Sequence, residues 1–206
     1  MPQVTAIKTQ KKDPSRVSLY LDGKFAFGLG RDLSTKAGLV VGKKLSEETI
    51  ENLKGQSEEE KFLNLTYRYL SYRPRSEKEV VNHLTKKKVN KKTIAKIISR
   101  LKKQDYLDDE EFALWWIDQR QRFRPRSRYF LKSELIKKGV ERKIIDQALT
   151  KVDEEALVDK IILKRKSRLK NLEPFQARKK LIGYLQRRGF SWEIIKKGLG
   201  KAKIFD

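Results

Sequence analysis

The sequence predicts a mainly α fold: tandem three-helix bundles repeated into an elongated array, with a small N-terminal antiparallel β-hairpin or meander. Three observations predict it. The first is an internal repeat. Arg73-Pro-Arg-Ser76 returns 51 positions later as Arg124-Pro-Arg-Ser127, and at the same offset Leu84, Val89, Ile94 and Ile98 meet Leu135, Val140, Ile145 and Leu149. A period near 50 with apolar positions held in one register marks a modular array. The second is composition. Over 206 residues the chain is 38% hydrophobic and 37% charged, which suits thin helical modules better than one thick globule. The third is an alternation of period two, confined to the N-terminal segment.

Residues 1–45 read as a β-meander followed by a short helix. Val4 to Thr9 is the first strand and Lys11-Lys-Asp-Pro-Ser15 a turn. Val17, Leu19 and Leu21 alternate with polar neighbours. Asp22-Gly23 then provides a two-residue hairpin turn, because both residues tolerate positive φ. Phe25, Phe27 and Leu29 alternate on the return strand. So small a sheet needs a partner for its apolar face, and the helix from Arg31 to Ala37 is placed to supply it. Gly38 to Leu45 is a connector.

Residues 46–56 read as a connecting helix with Ser46 as N-cap, broken at Gly55. Repeat one spans 57–107. Ser57 and Glu60 form a capping box for a helix carrying Phe62, Leu65, Tyr69 and Leu70. Pro74 stops that helix by disfavouring αR at Arg73. Ser76 with Glu79 caps a second helix bearing Val80, Val81 and Leu84, and Ile94, Ile97, Ile98 and Leu101 give a third at 3.6 spacing.

Repeat two, 108–152, copies this: Asp109 to Phe123, Ser127 to Lys138, and Glu141 to Lys151, with Gly139 fit for the left-handed position after a helix end. Repeat three, 153–206, is fainter. Leu185, Gly189, Phe190, Ile195 and Leu199 follow repeat two by 50 positions, whereas Asp153-Glu-Glu155 follows Asp109-Glu-Glu111 by 44. About six extra residues therefore lie near Lys164 to Gln176, where the Arg-Pro-Arg-Ser element is missing. A lone module buries little, and no cysteine is present to staple it, so stacking must stabilise the array.

Charge narrows the function classes. Fifty basic residues face 27 acids, a formal net charge of +23, and such an excess favours a polyanion, most commonly a phosphate backbone. Arg73 to Gln104 holds twelve basic residues and two acids, and the next seven residues hold five acids and no base. Lys86, Lys87, Lys88, Lys91 and Lys92 read either as a solvated face or as an anion-binding one. Arg73, Arg75, Arg124 and Arg126 stand just before helices, where free N–H groups attract anions and a guanidinium fork suits phosphate; the alternative is that they punctuate a turn. Asp105 to Glu111 complements a helix N-terminus, with a hard-cation cluster at Asp108, Asp109 and Glu111 as the sharper reading. Trp115, Trp116 and Trp192 are expected in the core or between repeats, and the lone His83 at the surface.

No enzyme is expected. Gly28-Leu-Gly30 lacks a third glycine and a βαβ setting, Gly38 to Lys44 is one residue short of a phosphate loop, and no nucleophile, base and oxyanion site assemble. The absence of cysteine removes thiolate metal sites. No apolar run reaches the length of a membrane span, and the N-terminus lacks a signal-peptide pattern, so a soluble cytoplasmic protein is expected.

Asp105-Tyr-Leu-Asp-Asp-Glu-Glu-Phe-Ala113, Arg120, Arg126-Ser127, Glu134-Leu135 and Lys138-Gly-Val140 resemble the central signature of the RecX family, bacterial regulators of the RecA recombinase. Leu21-Asp-Gly-Lys24 resembles the N-terminal extension of many members. The resemblance implies a curved array of three-helix modules lying in the groove of the RecA–DNA filament and modulating recombination and the SOS response, usually by inhibition. It implies no catalysis and no cofactor; no metal is expected either, since no partner histidine or distant carboxylate motif supports the acidic cluster. A monomer is expected, with single- or double-stranded DNA as a further ligand. Arg120 joins the arginines and lysines above as a candidate partner or DNA contact. Two readings compete: a stand-alone DNA or RNA binder using Ser76 to Lys103 as helix-turn-helix, and a metal-dependent nuclease using Asp105 to Glu111.

Overall fold

A computed structural model describes residues 1–169 and 171–202. Lys170 and the end of the expected third repeat, 203–206, lie outside the described residues. The described residues form three strands, β1 (Val4–Gln10), β2 (Asp13–Leu21) and β3 (Lys24–Gly30), followed by ten helices: α1 (Arg31–Lys36), α2 (Glu47–Ser71), α3 (Glu77–Lys86), α4 (Lys91–Lys103), α5 (Asp109–Phe123), α6 (Arg128–Lys137), α7 (Arg142–Leu149), α8 (Glu154–Leu169), α9 (Pro174–Gln186) and α10 (Trp192–Ala202). They divide into two compact units. One is Met1–Arg73 with His83–Lys103; the other is Pro74–Asn82 with the chain from Gln104 onward.

In the first unit the strands form the expected antiparallel meander, ordered β1-β2-β3. Asp22 and Gly23 adopt φ of 49° and 80°, the twist a tight hairpin needs. Val17 pairs with Leu29 and Leu19 with Phe27, so the alternating apolar residues share one face. Leu33 of α1, Leu39, Leu45, and Ile50 and Leu53 of α2 cover that face.

Gly55 does not break the chain as the sequence suggested. α2 runs unbroken from Glu47 to Ser71. One interior glycine costs a helix about 1 kcal/mol, and buried Ile50 and Leu53 before it and Leu63 after it offset that. Ser57 is accordingly no N-cap. Its buried hydroxyl donates to the Gly28 carbonyl at 2.7 Å and accepts from Arg16 Nη2 at 3.2 Å, tying mid-helix to β3. His83 also departs from expectation: it is half-buried and stacks on Tyr69, with ring centroids 4.0 Å apart.

In the second unit the repeat register is realised. Leu131, Leu135, Val140, Ile145 and Leu149 close around Phe112 and Ile117 of α5. Leu181, Leu185, Phe190, Ile195 and Leu199 do the same around Val158 and Ile162 of α8. Leu157 of α8 packs against both cores. The turns between second and third helices carry Gly139 and Gly189, each at φ 85°; the matching residue of repeat one is Lys88, at φ 61°. The extra length of the third repeat falls partly in α9, which has 13 residues against 10 in α6. Trp115 and Trp116 pack on the repeat-two core as expected. Trp192 does not: it opens α10 half-exposed, because the buried face there belongs to Ile195 and Leu199.

Candidate nucleic-acid interface

The Arg-Pro-Arg-Ser elements lie where one repeat meets the next. Ser76 is buried; its hydroxyl accepts the Glu79 N–H and donates to the Lys138 carbonyl at 2.6 Å, in the turn before α7. Ser127 is buried likewise. It caps α6 by accepting the Phe130 N–H, and its own N–H donates to the Arg188 carbonyl at 3.0 Å. The residue after each serine donates its N–H to a carboxylate opening the following repeat: Glu77 to Asp109 at 2.9 Å, Arg128 to Glu154 at 2.8 Å. The acidic run at 105–111 therefore does two structural jobs. Asp108 accepts the Glu110 and Glu111 N–H groups as N-cap of α5, and Asp109 receives the preceding repeat.

This placement sorts the candidate residues. Arg73 and Arg75 are half-buried, while Arg124 is exposed at the end of α5. Arg126 is half-buried over the Phe130 ring; its Nη1 donates to the Arg187 carbonyl at 3.4 Å and its Nε is buried without an acceptor. Arg120 is engaged in structure. Its Nε donates to Glu134 at 2.7 Å, Trp116 Nε1 donates to the same carboxylate oxygen at 2.8 Å, and the Arg120 and Lys138 cations lie over the Trp116 ring. Lys138 also pairs with Glu79.

The lysines are disposed differently. Lys86 ends α3, Lys87 and Lys88 form the turn, and Lys91 and Lys92 open α4; all five are exposed. The first turn of α4 contains no acid, so two cations sit against the positive end of a helix. That arrangement is unfavourable alone and is relieved by a bound anion.

Sequence reasoning missed a second basic group. Arg187 and Arg188, at the α9 turn, and Lys160, Lys164, Arg165 and Arg168, on α8, gather with Arg124 and Arg126 around Tyr184. One signal was present: Arg187 and Arg188 stand 50 positions after Lys137 and Lys138, in the register of the lysine turns.

Four family models match the chain in order: the Regulatory protein RecX N-terminal domain over residues 2–46, and the first, second and third RecX three-helix domains over 63–101, 108–149 and 153–199. Regulatory protein RecX of Bacillus pumilus is 36% identical over 98% of this chain and 78% of its own length. The chain belongs to the RecX family. Regulatory protein RecX of Bacillus subtilis is 34% identical, over 95% of this chain and 75% of its own. Among solved structures, a regulatory protein RecX superposes with a TM-score of 0.71 at 26% identity, covering 96% of this chain and all of that one. RecX from Lactobacillus salivarius shares the fold, with a TM-score of 0.61 at 24% identity over 70% of this chain and 96% of that one. Of the residues that resemble the RecX signature, Lys138 joins repeat two to α3 through Glu79 and Ser76, while Arg120 and Glu134 tie α5 to α6 within repeat two.

Proposed function

We propose that this RecX-family chain is a non-enzymatic regulator that binds the RecA–DNA filament in the cytoplasm as a monomer and inhibits the recombinase. One observation carries this reading: five exposed lysines, Lys86 to Lys92, follow one another from the end of α3 through the turn into the first turn of α4, a surface that asks for a polyanion. Long-range attraction of this kind speeds encounter and weakens with salt. Supporting it, two carboxylates of the nuclease alternative, Asp108 and Asp109, serve as helix cap and inter-repeat acceptor. No described helix is long and apolar enough to cross a membrane.

The test is recombinase ATPase on single-stranded DNA, with and without stoichiometric protein. A fall in turnover that the quintuple variant K86Q/K87Q/K88Q/K91Q/K92Q abolishes, with helicity unchanged, supports the reading. Unchanged turnover with the wild-type protein defeats it.

A further inference from the structure

Three hollows, of about 1000, 200 and 300 Å³, meet at one residue, Tyr184 of α9. Their walls come from the end of α5, from α8 and from α9, and among the described residues contain no aspartate or glutamate. The walls carry eight arginines and four lysines. Among the described residues only Arg122 of these twelve is held in an ion pair, to Asp118 at 2.8 Å. Elsewhere in the same unit cations are neutralised: Lys197 and Lys201 by Glu155, Lys132 by Asp146, Lys138 by Glu79. So a large positive charge is gathered around concave surface without its counter-charge, at a cost in self-repulsion that a polyanion relieves.

The walls are also aromatic. Tyr184 carries two guanidiniums over its ring, Arg165 at 3.3 Å and Arg188 at 4.2 Å from the centroid. Phe123 edges one hollow and Phe175 another, each 76% exposed. Phenylalanines left this open among cations mark a contact surface rather than core. Flat rings interleaved with arginine match unstacked bases strung on a phosphate backbone. A duplex hides its base faces, and an acidic peptide would satisfy the arginines yet leave the rings unused.

We propose that the hollows around Tyr184 form a binding site for single-stranded nucleic acid, in which Arg165, Arg168 and Arg187 hold phosphates while Phe123 and Phe175 stack on bases. The inference deepens the filament reading by giving the protein its own contact with the strand. Its test needs no recombinase, so either idea can fail without the other.

The experiment is fluorescence anisotropy of a labelled oligothymidylate of about 12 nucleotides titrated with the full chain. F123A/F175A, which leaves charge alone, should weaken binding by roughly 30-fold or more with the salt dependence unchanged. R165Q/R168Q/R187Q should weaken binding and reduce the slope of log affinity against log salt by about 2. K11Q/K12Q/K24Q removes the same charge from exposed positions in the β1–β2 turn and on β3 and should stay within about threefold of wild type if contact rather than net charge decides. An oligonucleotide bearing 5-bromodeoxyuridine should photocrosslink to Phe123, Phe175 or Tyr184, a readout independent of variant folding. Equal losses in the two triple variants, no effect of F123A/F175A, or crosslinks mapping elsewhere would each overturn the site. So would tighter binding of duplex, or displacement by polyglutamate as effective as by unlabelled strand; the latter would reassign the surface to an acidic protein segment.

Discussion

The two joints in the second unit share a backbone design and differ in how they handle charge. In both, a buried serine meets the turn of the next repeat, and the following N–H reaches the carboxylate that opens it. At the first joint the cations are neutralised: Lys138 by Glu79 across it, and Arg120 by Glu134 beside it, within repeat two. At the second they are spent on carbonyls, Arg126 on Arg187, Arg188 on Pro125 and Arg128 on Val152. A carbonyl satisfies a donor without cancelling its charge. The same architecture therefore yields a closed structural contact in one place and a positively charged surface in the other.

The glycines break the shared part of this comparison most severely. A Cβ at Gly139 would lie 2.5 Å from Lys78 Cβ, and one at Gly189 would meet Ser127 Oγ and the Phe130 ring. Both residues also hold positive φ. G139A and G189A should each destabilise by about 2–4 kcal/mol, from left-handed strain plus crowding, measured as urea midpoint. Wild-type stability in either would show that the turn need not approach so closely. S76A comes next, at about 1–3 kcal/mol, since its buried hydroxyl both caps α3 and donates to the Lys138 carbonyl.

The charge difference predicts smaller, opposite effects. E134Q should cost about 1–2 kcal/mol, because Arg120 loses its counter-charge in a half-buried setting. The matching experiment at the second joint is to add an acid: G183E on α9, a helix face beside Arg187, should raise stability slightly while weakening any anion binding. Lys88 in repeat one occupies the turn position of Gly139 and Gly189 with a side chain at φ 61°. K88G should stabilise by about 1 kcal/mol, which would show that glycine at the other two turns answers backbone conformation as well as close approach.

Much of this was legible in the sequence. The 51-residue register located the buried aliphatics, because core positions of a repeat must recur in phase, and Asp22-Gly23 located the hairpin. Three things were not. Gly55 looks like a breaker until Ile50, Leu53 and Leu63 are known to hold both halves of α2. Ser57 looks like a cap until β3 is brought beside it. Asp109 looks like one acid among five until Glu77, 32 positions away, is seen donating to it. The same blindness hid the basic hollows. Arg124, Arg165 and Arg187 are scattered along the chain, and only the packing of α5, α8 and α9 gathers them around Tyr184.

The smallest effect comes from inside repeat three, where α8 and α10 do neutralise charge. Glu155 accepts from Lys197 and faces Lys201, and Asp159 accepts from Lys201. The hydrogen bond from Lys197, helped by the nearby positive charges, holds the Glu155 carboxyl below the ordinary glutamate value. A carboxylate lowered in the folded state adds stability above its unfolded value and loses it as pH falls through the folded one. Acidification should therefore loosen α10 from α8 only below the usual glutamate range, and E155Q should remove that acid dependence. Because these groups are exposed, the change is small and shrinks with salt. Hydrogen exchange at α10, compared between neutral and acid pH in wild type and E155Q, would detect it; identical protection in both would mean that the apolar contacts of Ile195 and Leu199 hold the helix unaided.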